Sequence, residues 1–258
     1  MSSNELELGK NIKFSTKRRF GIITISRQES GNALTLKMLK DLKKCILHCQ
    51  ENPKIRGILL SGEGTSFTTG LDLRSFDASK TDVVKKIEDT ARFITDLLYY
   101  GKPVISAING KAMGDGVIYA LASDYRLVVK EAYFQMPEIK FGIFPGTGCV
   151  VLMTKVLGIS WTKKMLMFAE KISADKAVQI GLADEVVENS GELMKRAMDK
   201  AKFLFPKNQT VLNATKLCSN HLMDKPYMEA YELEKMGSAW YEYDNTEEYL
   251  SEFRKRLM

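Results

Sequence analysis

Short, wholly apolar runs set between amphipathic stretches restrict this fold most. Gly57-Ile-Leu-Leu-Ser and Pro103-Val-Ile-Ser-Ala-Ile are too short for helices and too apolar for strands with one wet face. Each runs into a glycine-bearing loop. Between them Val83, Val84, Ile87, Ala91, Ile94, Leu97 and Leu98 recur at helical spacing. Ahead of them Leu34, Met38, Leu39, Leu42, Ile46 and Cys49 mark another helix, ending near Asn52-Pro53. A strand buried on both faces needs helices over the sheet, so the pattern specifies an α/β class.

The same reading organises the rest. Asn11-Ile-Lys-Phe and the run Phe20 to Ser26 form a hairpin joined by a basic turn from Ser15 to Arg19. A short apolar helix starts at about Val117, and Tyr125-Arg-Leu-Val-Val and Tyr133-Phe-Gln are strands. From Gly146 onward the pattern is almost wholly helical, apart from a strand at Glu185-Val-Val after Gly181. Three amphipathic segments, near 191–205, 208–221 and 227–257, make up the tail. No internal repeat and no low-complexity linker is visible, so one α/β core with a helical C-terminal region is expected.

Composition removes several classes. The stretch 141–154 is the longest without Asp, Glu, Lys or Arg, too short to span a bilayer and broken by Pro145. The first ten residues hold no apolar signal region, and Lys255-Arg256-Leu257-Met258 is not a peroxisomal address, so a cytoplasmic protein is expected. Cys45, Cys49, Cys149 and Cys218 form no C-x-x-C pair and read as free thiols, the first two on one helix face. His48 and His221 are too few for a histidine-rich metal site, and no G-x-S-x-G elbow accompanies them, so acid–base chemistry falls to carboxylates. The formal charge is +6, but Arg18-Arg19, Lys163-Lys164 and Arg254-Lys255-Arg256 are short runs that read as solvated surface. No aromatic-interleaved basic motif supports a nucleic-acid partner.

Three segments can carry chemistry. Leu59-Leu-Ser-Gly-Glu-Gly and Ile108-Asn-Gly-Lys-Ala-Met-Gly-Asp-Gly both end strands in glycine loops. Such loops are ordinary turns, or they aim backbone N–H groups at an anion. The first fails the dinucleotide fingerprint because Phe67 occupies its third glycine position, and no G-K-[ST] exists for a P-loop. In the third segment Glu138 lies among Met136, Ile139, Phe141, Ile143 and Phe144. Apolar surroundings would raise its pKa towards that of a useful base, whereas an exposed loop position would make it a cap or a salt-bridge partner.

In combination these segments resemble the crotonase family of enoyl-CoA hydratases and isomerases. The ordered motifs are Asn32-Ala33-Leu34, Ser66 to Leu73, Ala107 to Gly116, Ser123-Asp124-Tyr125, Pro137-Glu138, Gly142 to Gly146 and Gly181-Leu182-Ala183. The resemblance implies a crotonase-like spiral of ββα units, residues 1–195, and a C-terminal helical trimerisation region, residues 196–258, giving a homotrimer or a dimer of trimers. It implies an acyl-CoA thioester as substrate, with no cofactor beyond the coenzyme A that the substrate carries. It places the oxyanion hole at the amides of Leu71 and Asp115. It also places the adenine end of coenzyme A along Thr69, Leu71, Asp72 and Leu73, with Arg27 towards the phosphates.

Two positions depart from that pattern. The hydratases' second glutamate falls on Ile118, which cannot move a proton, so the lone Glu138 favours isomerisation over hydration. Asp115 stands where the family usually has glycine. Its side chain must turn away from the oxyanion, bind a cation or a proton, or act as a second acid; otherwise the protein only binds acyl-CoA or serves as a scaffold. Met113, Tyr119, Phe144 and Met153 either line the acyl pocket or belong to the core.

Overall fold

The computed structural model of the chain describes residues 6–75 and 81–221. The amphipathic segment expected at 227–257 lies outside the described residues, as does Arg254-Lys255-Arg256.

The chain opens with an antiparallel hairpin of β1 (Ile12–Lys17) and β2 (Phe20–Ile25). The turn is tighter than the expected Ser15–Arg19. Ser15, Thr16 and Lys17 stay paired with Ile22, Gly21 and Phe20, and only Arg18 and Arg19 turn, both with positive φ. Exposed strand residues carry no apolar signal, which is why the run from Ser15 to Lys17 reads as loop.

The first helix, α1 (Leu36–Glu51), is capped by the Thr35 hydroxyl, which accepts from the Met38 amide at 3.3 Å. Leu34 falls outside it and bridges Leu71 instead, joining two of the sequence motifs. Cys45 and Cys49 are buried free thiols, pushed up to about 12 by burial.

Three successive turns of chain then follow one plan. Each lays a strand in a first sheet, a shorter strand in a second, and a helix over the pair. They are β3 (Gly57–Gly62), β4 (Ser66–Thr68) and α2 (Thr81–Tyr100); β5 (Val104–Ile108), β6 (Lys111–Met113) and α3 (Asp115–Leu121); and β7 (Tyr125–Val129), β8 (Tyr133–Gln135) and α4 (Cys149–Phe168). The first sheet has the order β1-β2-β3-β5-β7-β10, with β10 at Glu185–Val187. The second runs β4-β6-β8-β9, with β9 at Ile172–Ser173, a strand absent from the sequence reading. A spiral of ββα units thus exists without any repeat in the amino-acid sequence.

All of β5 and all but the last residue of β3 are buried. Each fully buried Val, Leu or Ile there contributes roughly 1.5–3 kcal/mol. Three more helices follow: α5 (Ala174–Gln179), α6 (Ser190–Leu204) and α7 (Gln209–His221). Residue 195 lies within α6. Helix α7 is fastened by Lys216, whose buried ammonium donates to Asp124 Oδ2 and the Leu98 carbonyl, both at 2.6 Å, and to the Lys102 carbonyl at 3.2 Å.

The second sheet decides where chemistry can occur. β4, β6 and β8 are parallel neighbours. Their C-terminal ends therefore open at one edge and deliver Gly70-Leu71, Gly114-Asp115 and Pro137-Glu138 to the same place.

Candidate active site

A cavity of about 800 Å³ opens at that edge. Every expected site residue lines it: Glu138, Leu71, Asp115, Arg27, Thr69, Asp72 and Leu73, although Leu73 is largely exposed.

Two glycines permit the approach of the loops. Gly70 has φ +84, and a Cβ there would lie 3.2 Å from the Asp115 amide nitrogen. Gly114 has φ +52, and its Cβ would lie 2.8 Å from Glu138 Oε1. Neither position accepts an L side chain without strain. Asp115 begins α3, so its N–H has no partner inside the helix. Among the described residues neither this amide nor that of Leu71 is spent on another acceptor.

Polar side chains hold the first loop in place. Asn32, fully buried, donates to the Glu63 and Ser66 carbonyls and accepts from the Arg27 amide. The Thr68 hydroxyl donates to the Asn32 carbonyl and accepts from the Gly70 amide. Asn109 braces the same turn through the Gly64 carbonyl and the Gly62 amide.

Glu138 starts a 3-10 turn (Glu138–Phe141) that follows Pro137. Its Oε2 is buried with no hydrogen-bond partner, and burial raises its pKa, opposed by its own backbone N–H. The surroundings are those expected only in part. Of the expected apolar neighbours only Met136 is buried, on the same cavity wall; Ile139, Phe141, Ile143 and Phe144 are exposed, and the Gly114 loop and the N-terminus of α4 lie close to Glu138.

Asp115 turns inward. It is 8% exposed, its Oδ2 is buried without a partner, and the Thr147 hydroxyl is 3.5 Å from Oδ1. Burial first, and then the charge of Glu138, pushes it up to about 7. Tyr119 and Cys149, both buried nearby, are pushed up as well, first by desolvation. Ile118 is buried on the cavity wall, as its apolar side chain requires.

Arg27 is held by protein contacts: its Nη1 donates to Asp72 Oδ2 at 2.6 Å and to the Ala33 carbonyl at 3.0 Å. Burial would raise Asp72, but the Arg27 hydrogen bond and the Arg74 amide outweigh it and hold the carboxyl low. Met113 and Phe144 line the cavity, whereas Tyr119 and Met153 are core. Thr147, in the glycine-rich end of the Glu138 segment, and Cys149, expected only as a free thiol, are site residues that the amino-acid sequence did not mark as such. Among the described residues no cluster suited to a metal ion forms, and no helix is long and apolar enough to cross a membrane.

A two-sheet ββα spiral with three parallel strand ends around one cavity defines a crotonase-type fold. Known proteins agree. The structure superimposes on a crystal structure of enoyl-CoA hydratase from Bacillus anthracis with a TM-score of 0.86, at 24% identity over 96% of this chain and 97% of that one. The short-chain-enoyl-CoA hydratase of Clostridium acetobutylicum is 30% identical over 234 residues, 89% of either chain. The crotonyl-CoA hydratase of Syntrophomonas wolfei is 28% identical over 237 residues, 87% of either chain. The profile of the Enoyl-CoA hydratase/isomerase family matches residues 16–255. The chain belongs to the enoyl-CoA hydratase/isomerase family, a family of enzymes.

Proposed function

We propose that the protein is a Δ3,Δ2-enoyl-CoA isomerase. The observation that carries this reading is a single glutamate, Glu138, with an unpartnered Oε2 on the cavity wall, while Ile118 closes the place where a second glutamate would act. The carboxylate takes a proton from C2 of a 3-enoyl thioester. The resulting dienolate puts negative charge on the thioester oxygen, where the amides of Leu71 and Asp115 hold it, and Glu138 returns the proton at C4. Coenzyme A enters only as part of the substrate. Its adenine end lies along Thr69, Leu71, Asp72 and Leu73, and its phosphates lie towards Arg27. Residues 1–195 act as the substrate-binding spiral in the cytoplasm, and 196–258 assemble it into a trimer or a dimer of trimers; the exposed Ile159, Met167 and Phe168 of α4 suit such an assembly.

One observation favours a second reading, hydration of a 2-enoyl thioester: Asp115 supplies another carboxyl beside Glu138. The hydratases named among the relatives point the same way. A side-by-side assay separates the two. Isomerisation raises the conjugated ultraviolet absorbance of a 3-enoyl-CoA, and hydration removes that of crotonyl-CoA. Glu138→Gln should abolish the rise while coenzyme A binding persists; an unchanged rate overturns the assignment. Binding with turnover of neither thioester identifies an acyl-CoA-binding protein or scaffold.

A further inference from the structure

The function proposed above uses the Asp115 backbone but leaves its side chain without a task. That side chain is costly to bury. It reaches the cavity wall beside Glu138, and among the described residues no cation pairs with either carboxyl. One oxygen of each is buried and unpartnered. Among the described residues the one hydrogen bond to the Asp115 side chain is the long one from Thr147. A buried Asp115 and a partly buried Glu138 with so few donors are opposed to carrying two charges at once, because like-charge repulsion adds to the desolvation cost, which is larger for Asp115. The N-terminus of α3 favours an anion at Asp115 by about 1 kcal/mol, too little to reverse that.

We propose that Asp115 is a positioning residue that holds one proton for the pair, so that Glu138 alone is the ionised base and the oxyanion forms beside a neutral neighbour. The inference rests on the reading of Glu138 as the base. Asp115 is the more deeply buried of the two and the one that the other's charge raises, so the proton resides on it. The remaining groups around it do not compete. Tyr119, on the same helix, and Cys149, from α4, are both held neutral by burial, and Thr147 does not titrate. Glu88 of α2 lies on the same cavity wall, as do Arg27 and Asp72, which are occupied with each other. When Asp115 loses its proton, a negative charge appears at the residue whose amide serves the oxyanion, and turnover stops. The site therefore carries its own alkaline shut-off. An asparagine at 115 keeps the size and the neutrality but cannot ionise.

The test has two arms. In the first, carboxyl carbons of the intact protein, labelled in Asp and Glu, are titrated by NMR, with Asp115→Asn and Glu138→Gln giving the assignments. The Asp115 signal should titrate near 7 in the wild type and move towards the ordinary aspartate range in Glu138→Gln. An Asp115 that is already ionised at pH 5, or is indifferent to Glu138→Gln, overturns the proposal. In the second arm, kcat/KM is followed from pH 6 to pH 9 with whichever enoyl thioester is turned over. The wild type should lose about 100-fold across that range, tenfold per pH unit once Asp115 ionises, and Asp115→Asn should lose severalfold less. A wild-type decline that persists unchanged in Asp115→Asn overturns the proposal, as does a loss in that variant as large as in Glu138→Gln. If neither thioester reacts, the enzymatic reading fails while the NMR arm still decides who holds the proton.

Discussion

Asp115 and Asp124 flank the same short helix, one at its first residue and one just beyond its end, and their surroundings are opposite. Asp124 receives the Lys216 ammonium and the Val104 amide on a single oxygen, at 2.6 and 2.7 Å. The lysine fills its other donor positions with two backbone carbonyls. Asp115 has a distant hydroxyl, a like-charged neighbour and an oxygen that meets nothing. The first arrangement ties α7 to the end of β5. The second keeps a carboxyl under electrostatic stress at a cavity wall. Acidic side chains serve structure where their partners are complete, and chemistry where they are withheld.

Substitutions at the two places should part stability from turnover. The largest effect expected is on rate: Glu138→Gln loses 10²–10⁴-fold in turnover, a typical general-base contribution, without loss of thermal stability. Next comes Lys216→Met, which leaves the partly exposed Asp124 without its cation and costs roughly 1–3 kcal/mol in urea denaturation while the folded fraction keeps its specific activity. Adding Asp124→Asn to it should recover much of that loss, because no unpaired charge then remains.

Asp115→Asn should do the reverse of Lys216→Met and stabilise. The folded protein holds the Asp115 proton more tightly than the unfolded chain, about 7 against 3.8, so the wild type loses stability as pH rises through that window. The variant should gain roughly 2–4 kcal/mol at pH 8 and almost nothing at pH 4, measured by the same denaturation. Gly114→Ala should act on stability and rate together. Its backbone, at φ +52 and ψ −122, disfavours an L residue by roughly 1–3 kcal/mol, and the added methyl meets Glu138 Oε1, so turnover should fall more than tenfold. If Gly114→Ala left the rate intact, the contact between the two loops would not matter to the chemistry.

The regular elements were legible because burial leaves a periodic trace. The long helices α1 and α2 and the apolar strands β3 and β5 stand where their spacing puts them. What left no trace was exposed or very short. β1 continues through Ser15 to Lys17 because each residue has a partner on β2, and the two residues of β9 form a strand through their pairing with β8. Leu34 has the spacing of a helical residue, yet the Thr35 cap starts α1 after it and frees it to pair with Leu71. The candidate site was visible as ordered motifs. Thr147 and Cys149 were not, since nothing in their local sequence says which carboxyl they will face.

The amino-acid sequence by itself determined the alternation of buried strands and helices, the two glycine loops, the single glutamate and the aspartate set into a loop where glycine is usual. Those are properties of side chains and local backbone, which need no distant partner. Only the tertiary structure decided that three short parallel strands end side by side. That juxtaposition put Glu138 against Gly114, turned Asp115 inward and, among the described residues, left both carboxyls without a cation. Carboxyls set on one cavity wall feel each other's charge, and that dependence arises only when residues distant in the chain are packed together.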